Sequence, residues 1–208
     1  MLSTLFTIGH SSHSQGYFVS LLRACDVTAI CDVRSNPYSR HSPQFNREAL
    51  EQTLQSCGIT YRFLGRELGA RSEDLTFYED GKVRYDRLSE TALFRHGLKR
   101  VLSGVRQGFQ IALMCAEKEP LECHRTILVS RHLVSTGIDV KHIHSDGHLE
   151  THEAALSRLI QLRNLPDRDF FHSKDEILAE PYRLQEECIA YQMAEGRAVA
   201  AGIEGGAT

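Results

Sequence analysis

Short apolar runs alternate along this chain with segments of helical period, and that alternation constrains the fold more than any other feature. Leu5-Phe-Thr-Ile8, Val27-Thr-Ala-Ile-Cys31, Ile59-Thr-Tyr-Arg-Phe-Leu64, Phe109-Gln-Ile-Ala-Leu-Met114 and Val140-Lys-His-Ile143 have the length and residue types of strands. Around them, residues near 15–25, 44–57, 86–107, 123–136 and 150–163 repeat at helical spacing. Pro43 and Gly58 bracket the second of these helices, and Gly137 closes the fourth. Strands alternating with helices of this length predict βαβ units. The expected fold is α/β, a three-layer sandwich whose mostly parallel sheet has about five strands covered on both faces. Another helix is expected from Ser173 to Ala194, followed by a disordered tail at 198–208. The chain thus divides into an α/β domain over 1–165 and a C-terminal helical extension with its tail over 166–208. Residues 65–85 hold several glycines and no sustained period, and read as a long loop of the kind that binds or covers a ligand.

Composition narrows the function classes. With 208 residues, 41% of them hydrophobic, the chain can bury a real core. A formal charge of -3 and a pI near 6.4 exclude a strongly basic nucleic-acid coat, so any polyanion has to be met locally. Residues 1–104 carry 13 Lys+Arg against 11 Asp+Glu, and 105–208 carry 11 against 16, which places a positive groove in the first half. Of the 24 cations 19 are Arg, the side chain suited to bidentate capture of phosphate or carboxylate. The first ten residues lack a basic segment ahead of a long apolar core, so no secretory signal is expected. No run reaches the ~18 apolar residues of a membrane span, so no membrane partner is expected either. Six scattered cysteines in a chain of this size read as a reduced, cytoplasmic protein rather than a disulfide scaffold.

In open parallel sheets, ligands gather outside the carboxyl ends of the strands. Here those ends carry His10, Ser11 and Ser12; Asp32, Arg34, Ser39 and Arg40; Arg66 and Glu67; Cys115 and Glu117; His144, Asp146 and His148. The densest group runs from Cys115 through Glu117 to Cys123-His124-Arg125, where a strand ends and a helix is expected to begin. A helix start favours a bound anion and lowers a thiol pKa. Cys115 or Cys123 can then be a nucleophile, with His10 or His124 as base and Arg34 or Arg125 facing an oxyanion. Cysteine after an apolar strand also serves as a small buried hydrophobe. Ten residues from Cys115 to Arg125 are too many for the short phosphatase loop. Cys115, Cys123, His124 and His10 satisfy zinc chemistry in type, without the tight paired spacing of a zinc motif.

Asp32-Val-Arg34-Ser-Asn-Pro37-Tyr-Ser-Arg40 forms a second group, in which Asp32 can orient Arg34 while Arg34 and Arg40 make a fork for phosphate; a strand-end Asp also binds its own loop backbone. Arg47, Arg62, Arg66 and Arg71 continue this basic region among Tyr38, Phe45, Tyr61 and Phe63, a mixture that can bind single-stranded nucleic acid or can belong to the core. His142, His144, His148 and His152 have a spacing that can bind metal adventitiously or belong to a solvated turn, with only His144 as a catalytic candidate.

Thr7-Ile-Gly-His-Ser11, Asp32-Val-Arg34 with Pro37, Ser39-Arg40 and Phe45, then Cys115-Ala-Glu117 and Cys123-His-Arg125, resemble the domain of unknown function family 488 over roughly residues 5–160. The tail Glu180-Pro-Tyr-Arg-Leu-Gln-Glu with Ala190-Tyr191 is similar to the C-terminal helix of longer members. Ala70 departs from the paired glycine that members more often carry after Leu68. The resemblance implies a cytoplasmic α/β protein and marks His10, Asp32, Arg34, Arg40, Cys115, Glu117, Cys123, His124 and Arg125 as signature positions; it implies no substrate or cofactor. The leading expectation is an enzyme whose Arg34, Arg40, Asp32, His124 and Arg125 bind an anionic, phosphate-bearing substrate. Cys115, ahead of Cys123, would supply the nucleophile or be a redox-sensitive thiol, with Glu117 and His10 handling protons. A nucleotide or single-stranded nucleic-acid binding module and a metal-dependent hydrolase are the alternatives.

Overall fold

The computed structural model describes residues 4–165 and 174–193, with side chains of the last helix described from residue 179. The tail expected at 198–208 lies outside the described residues. The chain opens with β1 (Thr4–Gly9), after which Ser14 caps α1 (Gln15–Ala24) by accepting the Tyr17 N–H. β2 (Ala29–Asp32), α2 (Arg47–Ser56) and β3 (Thr60–Phe63) follow. A short α3 (Gly65–Leu68) leads to a hairpin of β4 (Tyr78–Glu79) and β5 (Lys82–Val83). Next come α4 (Tyr85–Ser89), α5 (Ala92–Arg106) and β6 (Ile111–Cys115). A π-helical segment (Arg125–Ser130) runs into α6 (Arg131–Val134), then β7 (Asp139–Ile143), β8 (Leu149–Thr151), α7 (His152–Leu162) and α8 (Lys174–Ile189).

Six strands make one sheet in the order β3-β2-β6-β1-β7-β8, parallel throughout except for β8 against β7. Alternation along the strands sends Phe6, Ile8, Ile30, Ala112 and Met114 to one face, against Phe18 and Leu22 of α1 and Leu50 and Leu54 of α2. Leu5, Cys31, Leu113 and Cys115 face the other way, against Phe94 and Val101 of α5, Ile127, Leu128 and Leu159. Phe18, Leu22, Leu50 and Leu54 are all 0% exposed. At about 1.5–3 kcal/mol for each buried side chain they, rather than solvent-screened surface ion pairs such as Arg183–Glu180, hold the layers together. The α/β sandwich expected from the sequence is therefore present, with helices on both faces. Among the described residues, no helix is long and apolar enough to cross a membrane.

Three local expectations need correction. The helix expected over 86–107 is two helices, because Thr91 takes an extended backbone and its side chain accepts the Phe94 N–H, starting α5 afresh. Residues 65–85 are not one irregular loop: Asp80 and Gly81 both take positive φ, which is the turn that closes the β4–β5 hairpin. The sixth strand, β8, occupies three residues, the last of which, Thr151, also caps α7, and is too short to display a period.

α1 and α2 lie on one face and the π-helical segment that follows β6 on the other. The connections after β1 and β2 therefore part from the connection after β6, opening a crevice over the end of β6, the place where such sheets bind ligands. α8 closes one side of it through Gln185, which donates to Leu121 O at 2.7 Å, and Glu187, which pairs with Lys82 and Arg84.

Candidate active site

The ladder between β1 and β6 continues past both strands. His10 N–H donates to Cys115 O and Ser11 N–H to Ala116 O, each at 2.9 Å. Ser11 has φ of 49°, a left-handed backbone uncommon outside glycine, and its carbonyl takes the His10 Nδ1–H at 2.8 Å. A Cβ on Gly9 would stand 1.9 Å from Glu117 O, so only glycine lets β1 lie this close to the loop after β6. The strand end thus brings His10 and Glu117 to one crevice. A similar closeness explains Ala70: the approach belongs to Gly69, whose Cβ would meet Ser35 Oγ at 2.5 Å, while the Ala70 methyl is itself buried.

On the crevice floor, one ligand-type atom each from Cys115, Glu117, Cys123 and His124 lies within 4.8 Å of the other three. His124 Nδ1 stands 3.7 Å from Cys115 Sγ and 3.8 Å from Cys123 Sγ. Its Nε2 is 2.9 Å from Val33 O, and since a carbonyl only accepts, Nε2 carries hydrogen and Nδ1 is the atom presented to the sulfurs. Cys123 Sγ lies 2.9 Å from Glu117 Oε2 and accepts the Arg125 backbone N–H at 3.5 Å. Both thiols and the imidazole are buried, whereas Glu117 is exposed over part of its surface. Burial raises the Cys115 thiol, and its neighbour Cys123 raises it further. For Cys123 burial pulls upward too, but the Cys115 thiol, Arg125 and His124 outweigh it and hold Cys123 well below the ordinary cysteine range. His124 is raised, because Cys123 overcomes its burial, and burial raises Glu117.

Beside this group runs a buried relay. Asp32, 0% exposed, receives Arg34 Nε and Nη2 at 2.9 and 2.6 Å, the Arg34 backbone N–H and the Tyr61 hydroxyl at 2.8 Å. Arg34 Nη2 also donates to Phe45 O and Nη1 to His10 Nε2 at 3.1 Å. This leaves Arg34 one N–H of its five for a ligand. His10 has both ring nitrogens bonded, is stacked on Phe45 at 4.4 Å, and is pushed down to about 4 by burial, so it stays neutral and braces Arg34. Arg125, fully buried, donates to Glu117 O and Lys118 O and thereby shapes the loop between the cysteines. The helix that it begins is π-helical, with Ser130 Oγ donating to Arg125 O, a form often found at functional sites. Arg40 is exposed and does not line the crevice.

The crevice encloses about 310 Å³ and is bounded by His10, Arg34, all four members of the Cys/Glu/His group, Arg71 and Tyr191. Arg71, exposed and lying 4.2 Å over the Tyr191 ring, is the cation at its rim. Sequence reasoning placed Arg71 only in a diffuse basic region. Its site position comes from Tyr191, 120 residues on, whose carbonyl accepts the Val83 N–H. A second cavity of about 360 Å³ lies between β2 and β3 and the later turns of α5, lined by Ala29, Cys31, Thr60, Arg100 and Ser103. Burial pushes the Cys31 thiol there up to about 12, so that cavity offers no poised nucleophile.

The histidine run separates in space. His142 and His152 are buried rather than in a solvated turn, and His144 pairs with Glu150 at 2.8 Å beside Arg158.

No curated protein matches this chain, and no solved structure does. A family model described as domain of unknown function DUF488 matches residues 15–132, more than half of the sequence. The matched stretch holds Asp32, Arg34, Cys115, Glu117, Cys123 and His124, while His10 precedes it. With its crevice built almost wholly from that stretch, the chain belongs to the DUF488 family.

Proposed function

We propose that the protein is an enzyme that takes a small anionic, phosphate-bearing molecule into the crevice and acts on it at Cys115, Glu117, Cys123 and His124. The observation that carries this reading is the convergence of two buried thiols, a buried imidazole and a carboxylate on the floor of a cavity of about 310 Å³. That volume is at the small end of the range for small-molecule sites. Arg71 at the rim and the remaining N–H of Arg34 hold the anionic part; Asp32, Tyr61 and His10 position Arg34. Glu117, raised by burial and adjacent to Cys123, moves the proton. A module that only held phosphate would have no use for the thiols. All six cysteines are free, which suits a reduced, cytoplasmic setting.

Calorimetry at low salt with inorganic phosphate and adenosine monophosphate tests the reading. Arg71→Ala weakens both by about tenfold, the loss of one charge-assisted contact. Arg40→Ala leaves both unchanged. Failure of the wild-type protein to bind either probe removes the anionic substrate, and equal affinity in Arg71→Ala removes Arg71 from its site.

A further inference from the structure

We infer that Cys115, Cys123 and His124 are ligands of a zinc-class divalent ion whose fourth position opens into the crevice beside Glu117. The inference deepens the proposed function and rests on that reading for its substrate, but the ion itself is argued from geometry alone.

The separations have the dimensions of a coordination shell. With Zn–S near 2.3 Å and Zn–N near 2.0–2.1 Å, a tetrahedral site sets sulfur and nitrogen about 3.6 Å apart. The two Sγ···Nδ1 distances to His124 are 3.7 and 3.8 Å, both close to that edge length. The two sulfurs, the nitrogen and a Glu117 oxygen all lie within 4.8 Å of one another, close enough to surround one ion. The outer contacts are those a metal ligand needs. His124 Nε2–H is anchored on Val33 O, which fixes the ring and leaves the Nδ1 lone pair for the ion. The Arg125 backbone N–H faces Cys123 Sγ. Two thiolates and one imidazole are donors of the type zinc prefers, and the same three-ligand set with an open fourth position is a catalytic arrangement.

Glu117 differs from the three buried donors in its partial exposure, and it lines the crevice. Its carboxylate oxygen, within 4.8 Å of the three donor atoms, is near enough to take a proton from water held at the fourth position. The chemistry that follows is hydrolysis. The ion-bound water passes a proton to Glu117, and the resulting hydroxide bonds to the electrophilic atom of a bound ester. The bond to the leaving group then breaks, and that group departs with the proton from Glu117. Zinc keeps its oxidation state and no other reactant enters.

The test is zinc binding by the full chain. Protein with reduced thiols is stripped with chelator, checked for its fold by circular dichroism, and titrated with zinc against a chromophoric chelator. Replacing zinc with cobalt then reports sulfur-to-metal charge transfer and the strong visible bands of a tetrahedral site. One zinc per chain is expected, with binding weakened at least about a hundredfold in Cys123→Ser and His124→Ala. Glu117→Gln and the distant Cys57→Ser keep the ion. Should the ligand variants fail to fold, the cobalt spectrum of the wild-type protein decides, since sulfur ligation is visible without them. No stoichiometric zinc in reduced wild-type protein, or equal affinity in folded Cys123→Ser, overturns the assignment. Arg71-dependent phosphate binding by reduced protein that takes up no zinc when titrated overturns the ion and keeps the anion site. Bound zinc without phosphate binding keeps the ion and overturns the anionic substrate.

Discussion

Two buried histidine assemblies lie on the same sheet, and they are built on opposite plans. In one, polar atoms join in file: Thr7 Oγ1 to His142 Nδ1 at 2.8 Å, His142 Nε2 to His152 Nδ1 at 3.1 Å, and His152 Nε2 to the Tyr182 hydroxyl at 2.8 Å. Each ring nitrogen meets one partner, and the chain ties β1, β7, α7 and α8 together. In the other, one ligand-type atom each from Cys115, Glu117, Cys123 and His124 gathers within 4.8 Å of the rest, and one imidazole nitrogen faces two sulfurs at 3.7 and 3.8 Å. The file satisfies itself and stabilises the fold. The shell instead gathers four atoms of ligand type in one place. Burial and a histidine are common to both, so neither tells the two apart; the gathering of ligand-type atoms does.

The largest stability effect is expected in the file. His142→Ala leaves a void and strips Thr7 and His152 of a partner, at about 4 kcal/mol. For a chain of this size that lowers Tm by about 8–16 °C. Cys123→Ala in metal-free protein costs only about 1 kcal/mol. Urea denaturation of the two variants checks the contrast, which breaks if the order is reversed.

Acid sharpens it further. Burial lowers His152 to about 4 from an ordinary value of 6.5. As pH falls below 6.5 the unfolded chain takes up a proton on this residue, and the folded chain does not until about pH 4. Stability is therefore fully present above pH 6.5 and lost progressively down to about pH 4, by up to about 3 kcal/mol from this one group. Wild-type protein should show that decline, and His152→Gln a shallower one; identical slopes would remove His152 from the account.

Zinc acts on the shell alone. At a hundred times its Kd it stabilises the wild-type protein by about 2.7 kcal/mol, and thermal unfolding of Cys123→Ser is indifferent to it. The smallest effect is Tyr182→Phe, which removes one hydrogen bond from the file and costs about 1 kcal/mol while leaving zinc binding unchanged.

Much of this arrangement was legible in the sequence. The five parallel strands stand out because each is an apolar run ended by polar residues, and Cys115, Glu117, Cys123 and His124 lie at such an end. What resisted reading depended on long-range contacts. Arg34 has the residue type of an anion fork, but Asp32 and Phe45 take most of its donors. His10 has the type of a base, yet both of its nitrogens are bonded. Arg40 lies close to Arg34 in sequence and outside the crevice, whereas Arg71 enters through its contact with Tyr191. The histidine file was hidden for a different reason. His142 and His152 surround a short hairpin that has the composition of a solvated turn, and only the packing of α7 and α8 buries them.

The most direct test of the shell is diffraction from crystals of the zinc-loaded full chain, recorded on both sides of the zinc absorption edge. An anomalous peak about 2.3 Å from Cys115 Sγ and Cys123 Sγ and about 2.0–2.1 Å from His124 Nδ1 is the predicted result. A disulfide between Cys115 and Cys123, or zinc bound elsewhere with this group empty, would contradict it.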